Sequence, residues 1–216
     1  MYTANRYRKV LVFILTAFVV SAVPVRAGSG SGTAALLPAK FIMDNNYFSC
    51  GVPDGWRMRR EKPGDEKRKI YGVALVAPAN DGAAPEAAAE GSAPKTSAAI
   101  YVSYYLKGNA DFLGYEDFIV RNSQNALNEP ESAKNSYEPV KKIKLNGRTA
   151  SELSRVKTGA PGPESKSGES ARVKEKLYVL PAKRGFYVLR LTASEADFDR
   201  HLKVFELVAE TFKGKP

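Results

Sequence analysis

The stretch from Ala171 to Phe212 constrains this chain most, because it can be read as strand, tight turn, strand and closing helix without interruption. Val173, Leu177 and Val179 belong to an apolar run ending at Leu180-Pro181, and Lys183-Arg184-Gly185 turns the chain into Phe186–Leu191. Ser194 is placed as a helix N-cap, since its hydroxyl can accept from an orphan N–H of the first turn. Glu195, Asp197 and Asp199 suit the positive end of the helix dipole. Phe198, Leu202, Phe205, Ala209 and Phe212 recur at helical spacing, so one apolar stripe must cover something, and Gly214 is the expected stop. A hairpin closed by a Phe-faced helix is one layer of an α+β domain.

Upstream, Phe48–Val52 reads as a strand ended by the turn Pro53-Asp54-Gly55, with Trp56 as a plug at the sheet edge. Arg57 to Lys69 is polar, a loop or exposed edge, and Lys69 to Ala77 is a second strand. From Ala98, Ile100, Val102, Tyr104 and Leu106 alternate with Tyr101, Ser103 and Tyr105, which puts aromatic rings on both faces. Such a strand is either covered on both sides or lines a tyrosine groove. A helix is expected over Phe112–Leu127, then a polar loop over Asn128–Pro139. Val140–Leu145, Asn146-Gly147 and Arg148–Val156 form a hairpin with a strong two-residue turn signal. The stretches 78–96 and 157–170 are rich in Ala, Pro, Gly and small polar residues and read as loose insertions within one domain.

Arg6, Arg8 and Lys9 precede the apolar run Val10–Val20, and Val25-Arg26-Ala27 offers small residues at a signal-peptidase site. Residues 1–27 are therefore expected to be a signal peptide, 28–40 a flexible segment and 41–213 a single domain. The run is shorter than the roughly 20 residues of a comfortable span, although an uncleaved signal anchor beside the membrane is the alternative. The expected location is the periplasm or the exterior. The formal net charge of +10 includes the four cations of residues 1–27, and the remaining basic groups (Arg57–Arg60, Lys67–Lys69, Lys141–Lys144) suit solvated strand edges. Export and the lack of a recognition motif argue against nucleic acid.

Chemistry is sparse. Cys50 is the only cysteine and lies in an apolar strand, where a buried thiol is expected. His201, the only histidine, falls at the margin of the helix stripe. No Gly-x-Ser-x-Gly elbow accompanies it, so a hydrolase-like enzyme using Cys50 or His201 is the runner-up reading. Glu116 and Asp117 are ordinary helix-start acids. No Cys/His cluster, complete calcium loop or phosphate loop is present, so neither a metal nor a cofactor is expected. Tyrosine and tryptophan favour recognition, which makes Trp56, Tyr101 and Tyr105 the candidate partner-binding residues.

Two passages carry a family resemblance. Phe48-Ser49-Cys50-Gly51-Val52-Pro53-Asp54-Gly55-Trp56 resembles the F-S-x-x-x-P-x-G-W opening of PsbP-like domains. The close, Gly185 to Ala193 followed by a helix ending Phe205–Phe212, is also similar to the PsbP/Mog type. The resemblance spans about Phe41 to Lys213 and implies an antiparallel sheet between helices, an α/β/α sandwich. It further implies a non-enzymatic binding or assembly module, here exported in a bacterial cell envelope, with an envelope protein or ligand as its unspecified partner. No functional residue of that family maps onto this chain.

Overall fold

Eleven strands and three helices are laid out in a computed structural model that describes residues 37, 39–60, 65–78, 98–124, 135–159 and 171–215. All of them fall in one of the chain's two units, Ala34–Pro216. The expected signal peptide, most of the first loose insertion and residues 160–170 lie outside the described residues.

An eight-stranded antiparallel sheet dominates. It contains β3 (Arg57–Arg60), β4 (Ile70–Val76), β5 (Ala99–Leu106), β10 (Gly185–Ser194), β9 (Ala171–Ala182), β8 (Arg148–Gly159) and β6 (Ser136–Tyr137), in that spatial order, with β7 (Lys141–Leu145) also paired to β8. A smaller sheet places β2 (Phe48–Val52) between β1 (Ala39–Ile42) and β11 (Lys213–Gly214). The helices are the single turn α1 (Asp65–Arg68), α2 (Tyr115–Ser123) and α3 (Phe198–Thr211). The architecture is thus sheet-dominated, and only loosely a sandwich between helical layers.

Two cores follow from strand alternation. One face of the large sheet contributes Val73, Leu75, Ile100, Val102, Tyr104, Tyr187 and Leu189, covered by Phe198, Phe205 and Val208 of α3 and by Phe41, Phe48 and Cys50 of the small sheet. The other face gathers Leu153, Leu177, Val179, Phe186 and Val188 beneath Phe118 of α2. Fully burying a Phe side chain contributes about 1.5–3 kcal/mol, so the Phe stripe of α3 is its main anchor.

The turn chemistry behaves as expected at Asn146-Gly147, where both residues have positive φ, 50° and 77°. Asn146 has a second task. Its side-chain amide donates to the carbonyls of Ala209 and Phe212 at 3.0 Å each, capping the end of α3. Gly185 cannot be replaced without strain, because an added Cβ would meet the Tyr105 carbonyl on the neighbouring strand.

Several boundaries differ from expectation. Ser194 does not cap α3: it is still paired with Val173 in β10, and the helix starts at Phe198. Its hydroxyl instead accepts from the Asp197 N–H at 3.2 Å and donates to the Asp197 carboxylate at 2.7 Å, closing the intervening turn. Gly214 is not a helix stop, because Phe212 is already extended and Gly214 pairs with Phe48 in β11. α2 is shorter than Phe112–Leu127. Asn109 accepts the N–H groups of Asp111 and Phe112 at 3.0 and 2.9 Å, which holds Phe112 outside the helix, and Gln124 is extended. Lys157–Gly159 continues β8, since these residues pair with Val173–Ala171. Ser136–Tyr137, expected as loop, pairs with Val156 and Arg155. β1 begins at Ala39, two residues ahead of the expected start of structure, because Phe41 is drawn under the small sheet opposite Cys50.

Candidate functional site

Cys50 is fully buried, and burial pushes its thiol up to about 12. A thiol held so far above neutral pH does not supply a nucleophilic thiolate. His201 is not a margin residue. It is 6% exposed in the first turn of α3 and meets Trp56 edge-on, with ring centroids 5.6 Å apart. Gly51, next to Cys50, donates its N–H to Thr211 Oγ1 at 2.8 Å, at the far end of α3. Thr211 lies ten helical steps beyond His201, about 15 Å along the axis, so the thiol and the imidazole do not form a reacting pair.

The tyrosines divide between the faces. Tyr71, Tyr104, Tyr178 and Tyr187 belong to the α3 side. Tyr104 stacks on Tyr187 at 4.6 Å, and Tyr187 donates to the carbonyls of Tyr47 and Lys215 at 2.9 and 3.1 Å. Burial pushes the Tyr187 hydroxyl up to about 12 and raises Tyr178 as well. Tyr101 and Tyr105 lie on the opposite face. Tyr105 stacks on Phe186 at 4.8 Å and 8° and touches Phe112 and Phe118, so it closes the edge of the α2 core. Trp56 packs against the α3-side core. The three sequence candidates therefore do not share one groove: Tyr101 and Tyr105 are on one face and Trp56 on the other.

Tyr101 leads to a feature that composition hid. Arg190 lies opposite it in β10, with its guanidinium 4.4 Å from the ring centroid. One pleat along the same face is Glu175 of β9, whose side chain is 3% exposed. Arg155 Nε donates to it at 2.5 Å, and Lys157 Nζ is 3.2 Å away. Arg155 also donates to the Asn122 side-chain oxygen at 3.0 Å, tying the cluster to the end of α2. Burial alone would raise the Glu175 pKa, but Arg155, Arg190 and Lys157 together hold it below the usual carboxylate range. Burial lowers Lys157, which Glu175 partly offsets. The four side chains sum to three cations against one carboxylate, beside a half-buried aromatic ring. Such a surface suits an anionic group better than a neutral one.

Sequence reasoning missed this cluster. Its signal was Arg155, Lys157, Glu175 and Arg190 at alternating positions on the same face as Leu153, Leu177 and Val188, where apolar residues are usual. Among the described residues no group of three or more His, Cys, Asp or Glu could hold a metal ion, and no helix is long and apolar enough to cross a membrane.

Solved structures similar to this chain include PsbP and Mog1p. Cyanobacterial PsbP (CyanoP) from Synechocystis sp. PCC 6803 is 13% identical at a TM-score of 0.48, over 88% of this chain and 99% of that one. LpqN of Mycobacterium tuberculosis, described as involved in cell envelope biogenesis, is 17% identical at 0.45, over 86% and 88%. The Saccharomyces cerevisiae Ran-binding protein Mog1p is 13% identical at 0.43, over 82% and 94%. No family model and no curated protein matches the chain.

Proposed function

We propose that this protein is an exported, non-enzymatic binding module of a bacterial cell envelope: residues 1–27 direct export, and one domain over about 41–213 holds an anionic partner against the Tyr101–Arg190 face. The observation that carries the reading is the three-to-one excess of cations around Glu175, next to the Tyr101 ring. Arg155 is committed to Glu175 and Asn122. Arg190, on the Tyr101 ring, and Lys157, which shares Glu175 with Arg155 and is about a third exposed, are the cations placed to meet a partner's carboxylates or phosphates. Tyr105 supports this surface through the α2 core. Trp56, on the other face, is a second contact point only for a partner that wraps the sheet edge.

The test is crosslinking in intact cells from a photoreactive residue placed at Tyr101, with mass spectrometry of the captured species and fractionation of the cells. An envelope partner recovered from Tyr101, lost with Arg190→Glu and retained with Trp56→Phe, supports the reading. Capture from the cytoplasm alone, or capture indifferent to Arg190→Glu, rejects it.

A further inference from the structure

A second surface, on the small sheet, has a different chemistry. Around β11 the protein opens into three clefts of about 300, 330 and 430 Å³, and Lys213 lines all three. Lys213 stands opposite Ser49, and Lys40 of β1 stands opposite Gly51. The two lysines therefore flank a floor of small residues on the outer face of β2. On one side of Lys213 the wall is Ile42, itself 51% exposed, with Phe48 buried behind it. On the other side it is half-buried Leu145, with Leu180 and Phe212 buried behind it.

The charges here are uneven in their commitments. Lys215 donates to the Asn45 carbonyl at 2.8 Å, and Arg148 donates to the Pro181 carbonyl at 2.6 Å. Among the described residues Lys40 and Lys213 have no ion-pair partner. Among the described residues lining the clefts, Glu210 is the single carboxylate, beside four cations, Lys40, Arg148, Lys213 and Lys215. Both glycines at this corner are closely fitted: a Cβ on Gly51 would meet Leu37 Cδ1 at 2.8 Å and Thr211 Oγ1 at 2.9 Å, and one on Gly214 would meet the Tyr187 ring at 2.6 Å. Leu37 therefore covers Gly51, and Ser49 is the open part of the floor.

We propose that this groove binds an extended acidic peptide of another protein, with a carboxylate between Lys40 and Lys213 and apolar side chains in the clefts on either side. Apolar walls divided by a cation match an extended chain that is apolar at one position, acidic two residues on and apolar two residues after that, because successive side chains turn to opposite sides and only every second one, about 6.5–7 Å apart, faces the groove. Charge decides against two other occupants, the same face of a second copy and the segment leading to β1. A second copy of the chain would bring lysines against lysines, and Gly28–Leu36, the sequence leading to β1, contains no acidic residue. The site is separate from the Tyr101–Arg190 face and does not depend on it.

The experiment is a titration of the isotope-labelled chain with acetyl-Leu-Ser-Glu-Ser-Leu-amide, following backbone amides by NMR. The expected result is saturable shifts at Ser49, Lys213 and Gly214. Affinity should fall at least tenfold with Lys213→Glu, persist with Lys213→Arg, and be unchanged with Arg190→Glu. Lys213 is exposed, so a melting temperature equal to that of the parent separates lost binding from lost folding. Shifts that are absent or lie elsewhere overturn the proposal. So does equal binding of the peptide with Lys in place of Glu. Anionic phosphatidylglycerol vesicles occupying these residues without competition from the peptide would assign the groove to a membrane surface, and self-association through them would assign it to a dimer; either overturns the peptide.

Discussion

The two faces of the large sheet solve burial in opposite ways. Against α3 and the small sheet, rings and aliphatic side chains interlock, and tyrosine hydroxyls donate to backbone carbonyls, as with Tyr104 on Arg184 at 2.9 Å and Tyr187 on Tyr47 and Lys215. His201 packs edge-on against Trp56, and an ion pair of this side, Lys176–Glu152 at 3.2 Å, is less buried than Glu175. On the α2 face the apolar part is smaller, and Glu175 with its cations continues it along the same strands. A buried ion pair is a weak contributor to stability, because desolvation offsets much of the attraction. Under the proposed function, a stretch of face that could carry aliphatic residues yet carries four charges serves recognition more than folding.

If that contrast is right, truncation should cost most on the α3 side. Phe205 is fully buried and stacks on Tyr178 at 5.0 Å. Phe205→Ala should destabilise the domain by about 3–5 kcal/mol, since it removes transfer energy and leaves a cavity. Urea unfolding would measure this, and a loss under about 1 kcal/mol would mean that α3 is not anchored as the contacts indicate.

Glu175→Gln should come next, at about 3 kcal/mol, the low end for a broken buried pair because Lys157 can reach water. The sign of the pH dependence follows from the same group. Its folded pKa lies below the unfolded value, so its contribution is fully present above about pH 4.3 and disappears as pH falls through the folded pKa. The parent should lose stability on acidification more steeply than Glu175→Gln. Parallel acid limbs in the two proteins would remove Glu175 as a source of that slope.

How much of this was legible in the sequence varied by element. The Asn-Gly hairpin, the alternation of β5 and the hairpin–helix close were readable, because turn residues and apolar period carry local information. β1 and β11 were not, since four and two residues have no period and exist only because β2 lies between them. Lys157-Thr158-Gly159 resembles the loose residues that follow it, and only pairing with β9 extends the strand. His201 sits beside the predicted stripe, and its burial depends on Trp56 arriving from a segment far away in sequence. Glu175 defeats local reading for a related reason: a charge at an inward position looks like an error of register until its cations on β8 and β10 are in view.

Tyr187→Phe gives a smaller effect on the α3 side. The ring keeps its stack on Tyr104 and its contact with Phe212, while the hydroxyl bonds to Tyr47 and Lys215 are lost. About 1 kcal/mol of stability should go with them, and amide exchange should quicken in β11, which these bonds hold to the tyrosine core. Unchanged exchange there would show that β11 is kept in place by its pairing with β2 alone.

The smallest stability effect should come from the change that looks most severe. Arg155→Met combined with Glu175→Leu removes a buried salt bridge without stranding a buried charge, because Lys157 can turn to solvent, Arg190 keeps the Tyr101 ring, and Asn122, which loses its Arg155 donor, is only half-buried. Replacing such a pair by apolar residues of similar volume is often neutral or stabilising. The double variant should therefore unfold within about 1 kcal/mol of the parent, while capture of a partner from Tyr101 falls. Both readouts are needed. Stability retained with capture lost assigns the charges to recognition, whereas a large loss of stability would make the cluster a structural element of the fold and erase the contrast between the two faces.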